Sequence, residues 1–146
     1  MKRLACLIAL TLLSLSAFAQ RGLNCNPVFR GKVVPFNRMV ETEVRGESMS
    51  TYKLSYFHSV KIQIDDVTAA KVAEMVEMDV AKAVSAETER IGGLLTYALI
   101  RLQPFKKVNR YLCYQLKEKG GARIITIIYL EGSASLDDLH NMFEKQ

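Results

Sequence analysis

The sequence predicts an α+β fold: an antiparallel sheet of about four to five strands with one long and one short helix packed on one face. Three observations predict it. Residues 94–102, 109–117 and 123–130 are strongly apolar and are separated only by short connections bearing Pro104 or Gly120-Gly121. Strands joined that closely pair antiparallel. Ala69, Val72, Ala73, Val76, Val80 and Ala83 recur on one stripe at helical spacing, opposite Lys71, Glu74 and Lys82. Finally, Ser135-Leu136-Asp137-Asp138 has capping-box character ahead of a shorter apolar stripe, Leu136, Leu139 and Phe143.

The elements follow in order from the N-terminus. Lys2 and Arg3 precede an apolar run over 4–15, and Ala17-Phe18-Ala19 forms a small-x-small cleavage site before Gln20. That layout is a secretory signal peptide, residues 1–19, and its apolar run is too short to span a bilayer. Residues 20–146 then make a single α+β domain, exported and with the periplasm as its expected location, the extracellular space being the alternative. From Gln20 to Asn37 the chain is irregular, punctuated by Asn24, Asn26, Pro27, Gly31 and Pro35. Residues 40–46 alternate and end in glycine, a short strand and turn. From Phe57 to Ile64 the alternation is clean, with Val60, Ile62 and Ile64 inward, and His58 is placed on the polar side. Asp65-Asp66 caps the long helix, which is expected to run to about residues 87–90 and to stop at Gly92-Gly93. The three apolar strands and the short helix over 136–144 complete the chain.

Composition narrows the function. Without residues 1–19 the chain keeps 18 basic and 15 acidic residues, a net charge of +3, which is mild for a nucleic-acid binder. No further stretch reaches membrane-spanning length, so no membrane span is expected in the mature chain. Two cysteines remain there, Cys25 and Cys113. In an oxidising compartment they can pair and tie the N-terminal segment to a central strand. The alternative leaves Cys113 as a buried strand residue and Cys25 as an idle thiol.

The last strands are apolar on both faces: Ile124 and Ile128 oppose Ile125, Ile127 and Tyr129, while Ala98, Ile100 and Leu102 oppose Leu95, Tyr97 and Leu99. A sheet with one solvated face alternates with polar residues. Two helices cover one face, so residues 22–47, a second copy or a partner must cover the other. Seven basic residues against one acid lie between Arg101 and Arg123, a basic rim suited to an anionic glycan, a lipid headgroup or an acidic partner. The candidate binding residues are therefore Tyr97, Tyr111 and Tyr129 for contact area, with Arg101, Lys106, Lys107 and Arg123 as electrostatic guides.

Catalytic patterns are sparse. There is no Gly-x-Ser-x-Gly elbow, no His-Glu-x-x-His, no Cys-x-x-Cys and no acidic calcium loop. No metal or other cofactor is expected. His140 near Asp137 offers a hydrolase only if a nucleophile joins it. Asp65-Asp66 and Asp137-Asp138 each open a helix, where aspartate is expected as a cap.

Several segments look familiar: Val44-Arg45-Gly46 into Tyr52-Lys53-Leu54 and the strand from Phe57, then 95–99, 110–114, and Ile128-Tyr129-Leu130-Glu131-Gly132 before the Ser135 box. Together they resemble a family of small secreted domains of unknown function from Gram-negative gut bacteria. The resemblance implies export and an α+β fold and supplies no functional residues. The element order is also similar to cystatin-like folds, but the Gln-x-Val-x-Gly inhibitory hairpin is missing. The expected function is a non-catalytic exported domain that presents a tyrosine-rich sheet face and basic loops to a protein partner or to itself. The alternative is a binder of a small apolar or anionic amphipathic ligand between sheet and long helix.

Overall fold

The computed structural model describes residues 22–144, so the leader read over residues 1–19 lies outside the described residues. Six strands form one sheet: β1 (Met39–Arg45), β2 (Leu54–Ile64), β3 (Ser85–Ile91), β4 (Leu94–Phe105), β5 (Val108–Lys119) and β6 (Ala122–Gly132). Three α-helices accompany them: α1 (Asn26–Phe29), α2 (Asp66–Ala81) and α3 (Leu136–Glu144). The strand order is β1-β2-β6-β5-β4-β3, antiparallel at every pairing.

The α+β class and the antiparallel sheet stand, but the strand count rises to six. The extra strand is β3, where the sequence reading continued the long helix. That helix stops at Ala81, and its carboxyl end is closed by the Lys82 N–H donating to the Asp79 carbonyl and the Ala83 N–H to the Val80 carbonyl, both at 3.2 Å. Residues 85–91 carry no strand pattern because nearly every side chain in β3 is exposed. Such an edge strand is held through main-chain pairing with β4, which leaves no apolar alternation in its sequence.

Gly92-Gly93 is accordingly a hairpin turn between Ile91 and Leu94, with φ of 59° and 82°. Gly120-Gly121 joins β5 to β6 with φ of 60° and 79°. Positive φ at both central residues suits the twist of a two-residue hairpin. The β4–β5 turn has the same shape but is built from Lys106 and Lys107, at φ of 49° and 66°. L-residues with a Cβ are strained there. Replacing Lys106→Asn together with Lys107→Gly is expected to raise stability by about 1–2 kcal/mol. A higher urea midpoint with an unchanged slope would show it; an unchanged midpoint would refute it.

The sheet buries both faces, and the helices divide between them. On the first face α2 lays Ala69, Val72, Ala73 and Val76 over Ala98, Ile100, Tyr114 and Ile127, and the N-terminal segment adds Cys25, Val28, Phe29 and Val34. Each fully buried valine contributes about 1.5–3 kcal/mol. On the second face α3 brings Leu139 and the half-buried Leu136, Met142 and Phe143 against Leu54, Leu99, Tyr111, Cys113 and Leu130. The two predicted helices thus lie on opposite faces, not on one. Residues 22–38 share the first face with α2 instead of covering the second.

The reason lies in the chain after β6. Ala134 N–H donates to the Lys53 carbonyl at 2.9 Å, and the Ala134 carbonyl accepts from the Tyr111 hydroxyl at 2.6 Å and from Asn109 Nδ2 at 3.2 Å. This clamp turns the chain onto the second face. The expected capping box then starts α3: Asp138 N–H donates to Ser135 Oγ at 3.1 Å, and Ser135 N–H to Asp138 Oδ2 at 2.8 Å. No described helix is long and apolar enough to cross a membrane.

Opposite faces also decide the cysteines. Cys25 is buried with the α2 core and Cys113 with the α3 core, and both are free thiols. The sheet stands between them, so the Cys25–Cys113 bridge left open by the sequence does not form.

Candidate functional site: a groove beside the C-terminal helix

α3 is nine residues long and shelters only part of the second face. Antiparallel register sets the rows of side chains there. Glu87, Leu99, Cys113, Ile128 and Ser59 form one row, and Glu89, Tyr97, Gln115, Thr126 and Lys61 the next. Where Phe143 of α3 ends the cover, a groove of about 370 Å³ opens between the rows and the helix. Ile128, Phe143 and the Tyr97 ring give it apolar walls. Gln115, Thr126 and Cys113 supply neutral polar groups, and Lys117 adds the cation. A volume of this size is in the range of small-molecule sites, roughly 300–1,000 Å³.

The groove is chemically quiet. Burial pushes the Cys113 thiol up to about 11, so at neutral pH it is a protonated thiol and a poor nucleophile. The Tyr97 hydroxyl is also raised, first by burial and then by Cys113, Glu87 and Glu89 nearby. It therefore serves as a neutral hydrogen-bonding group.

The sequence-derived candidates are dispersed. Tyr97 lines the groove. Tyr111 is on the same face but only 1% exposed, with its hydroxyl committed to Ala134. Tyr129 is on the other face and fully buried; it accepts from Arg110 Nε at 2.8 Å and donates to Glu131 Oε1 at 2.5 Å. The three tyrosines therefore do not form one surface. Arg101 pairs in register with Tyr111 and is half-buried. Lys106 and Lys107 stand at the β4–β5 turn, the opposite end of the sheet from Arg123, which pairs with Asp66 at 2.8 Å and Glu118 at 3.5 Å. Consecutive hairpin turns must alternate ends, so the basic residues do not collect on one rim.

Of the two histidines, His140 lies in the short helix as expected, whereas His58 departs from its expected polar side. His140 Nε2 lies 2.9 Å from Glu87 Oε2 and joins α3 to β3. His58 is on the first face, only 7% exposed, because it shares parity with Val60 and Ile62 rather than with Lys61. Residues missed from the sequence include Phe143 as a groove wall and Asp79, an acid on the buried stripe of α2. An isolated carboxylate in an otherwise apolar stripe was the signal available for Asp79.

The fold is a single-sheet α+β domain with a small, partly enclosed groove beside its C-terminal helix. The chain belongs to the family of unknown function DUF6108, which matches residues 12–143. No curated protein and no solved structure matches it.

Proposed function

We propose that this chain is an exported, non-catalytic binding domain whose second-face groove holds a small ligand with an apolar body and an anionic or polar head. The carrying observation is the groove itself: apolar Ile128 and Phe143 beside the neutral polar groups of Tyr97, Gln115 and Thr126, with one cation, Lys117. The proposal moves the ligand from the long helix to the short one, because Ala69, Val72 and Val76 of α2 are fully buried against the sheet. Both mature-chain thiols have raised pKa values, and His140 faces a glutamate, which supports binding over hydrolysis. Export rests on Lys2, Arg3, the apolar run over 4–15 and Ala17-Phe18-Ala19, and a Gram-negative periplasm fits that leader.

Anilinonaphthalene sulfonate has the proposed chemistry and serves as the probe. Its fluorescence is expected to rise on binding and to fall when dodecanoate displaces it. Ile128→Trp fills the groove and is expected to abolish both responses while circular dichroism stays native. Lys117→Glu is expected to weaken dodecanoate by about tenfold, as loss of one charge-assisted contact does. Unchanged binding by Ile128→Trp would remove the groove as the site. Tyr97 then becomes the residue to test for contact with a protein partner or second copy, by Tyr97→Ala and size-exclusion chromatography.

A further inference from the structure

Away from the groove, on the first face and at the opposite edge of the sheet, β1 and β2 bring three metal-ligating side chains together. In the β1–β2 pairing Glu43 stands opposite His58, and Glu41 lies two residues along the same face. One donor atom from each of Glu41, Glu43 and His58 falls within 4.8 Å of the other two. His58 Nε2 is 3.4 Å from Glu41 Oε1. Two ligands on a tetrahedral zinc ion lie about 3.3 Å apart, from bond lengths of about 2.0–2.1 Å. The His58–Glu41 separation therefore already matches two ligands of one ion.

The cluster has the parts of a site. His58 is 7% exposed, and its ring packs 4.9 Å from Phe29 and 6.2 Å from Tyr56, centroid to centroid, so the imidazole is held in place. The two glutamates are exposed and leave a path for an ion from solvent. Glu43 is oriented by neighbours: the Tyr56 hydroxyl donates to its Oε1 at 3.0 Å, and Arg45 Nη2 donates to the same oxygen at 3.1 Å. Outer hydrogen bonds of this kind orient metal ligands. Arg45 also stacks over Tyr56 at 4.4 Å, which keeps the guanidinium on that side of the carboxylate.

We propose that Glu41, Glu43 and His58 form a divalent transition-metal site of the zinc class, with Tyr56 and Arg45 as its positioning residues. An imidazole with two carboxylates favours zinc over calcium or magnesium, which prefer all-oxygen shells. The site ties the edge strand to the core, so occupancy stabilises β1 against the sheet.

The test uses the folded chain with zinc alone as the probe. Calorimetry is expected to show one zinc bound per chain, with a rise in thermal midpoint as zinc is added. The His58 imidazole nitrogen resonances are expected to shift on titration. Glu41→Gln is at an exposed position and keeps the fold; it is expected to lower zinc affinity at least about tenfold. His140→Ala leaves the site intact and is expected to bind as the parent does. Zinc uptake without a His58 shift, equal affinity in Glu41→Gln, or no uptake at all would each overturn the assignment.

Discussion

Gly132→Ala is expected to cost about 3 kcal/mol or more, the upper end for overpacking, because its Cβ has nowhere to go. A Cβ built there sits 2.3 Å from the Lys53 carbonyl oxygen and 2.7 Å from Leu54 Cα. Both are backbone atoms, so no side-chain rotation relieves the clash. The residue also holds φ of +158°, at the limit of what L side chains adopt. β2 must move away from β6 at the point where its register already shifts between Leu54 and Tyr56. The same Lys53 carbonyl accepts the Ala134 N–H, so the turn into α3 is disturbed as well. Gly92→Ala is the control: it has φ of +59° in a tight turn but no atom within 4 Å, and should cost only about 1 kcal/mol. Urea denaturation of both variants measures the difference. A Gly132→Ala midpoint equal to that of the parent would refute the close approach.

Asp79→Ala is expected to destabilise by about 3–5 kcal/mol, through donors left without an acceptor. The carboxylate is 2% exposed. Its Oδ1 accepts from Asn24 N–H at 2.6 Å and Asn24 Nδ2 at 3.0 Å, and its Oδ2 accepts from Cys25 N–H at 3.0 Å. These bonds fasten the N-terminal segment to the end of α2. Cys25 reports on them directly. Its thiol is pushed well up, first by burial and then by the Asp79 charge and hydrogen bond. Alanine removes that cover, so Cys25 should be alkylated far faster in the variant while Cys113 keeps its parent rate. Asp79→Asn retains an acceptor and should fall between the two. Equal alkylation rates in Asp79→Ala and the parent would show that the segment is held by other contacts.

Much of this fold is legible without coordinates, and the reason differs by element. The α2 stripe, the Asp65 cap, whose carboxylate accepts the Thr68 N–H at 2.7 Å, and the Ser135–Asp138 box are local patterns whose physics is complete within a few residues. The three apolar strands of the meander are equally self-announcing. β3 is not, because an exposed edge strand earns its place from β4 and shows no alternation of its own. The groove is only half legible. Tyr97 is suggested by its place in an apolar strand, whereas Phe143 becomes its neighbour only once α3 crosses the second face. The Glu41–Glu43–His58 cluster was missed for a related reason. A Glu-x-Glu pair fifteen or so residues from a histidine has no motif spacing until β1 and β2 lie side by side.

The sequence by itself determined the class of the domain, the starts of α2 and α3 and the two-faced apolar character of β4 to β6, though not the single-turn α1 within the segment read as irregular. These follow from side-chain periodicity and capping, which act over a few residues. Tertiary structure alone decided which helix covers which face, and with it the separation of Cys25 from Cys113 and of Tyr129 from Tyr97. Those outcomes depend on the close approach at Gly132 and the clamp on Ala134, contacts between residues distant in sequence. A strand buried on both faces does not announce which side its neighbours will take.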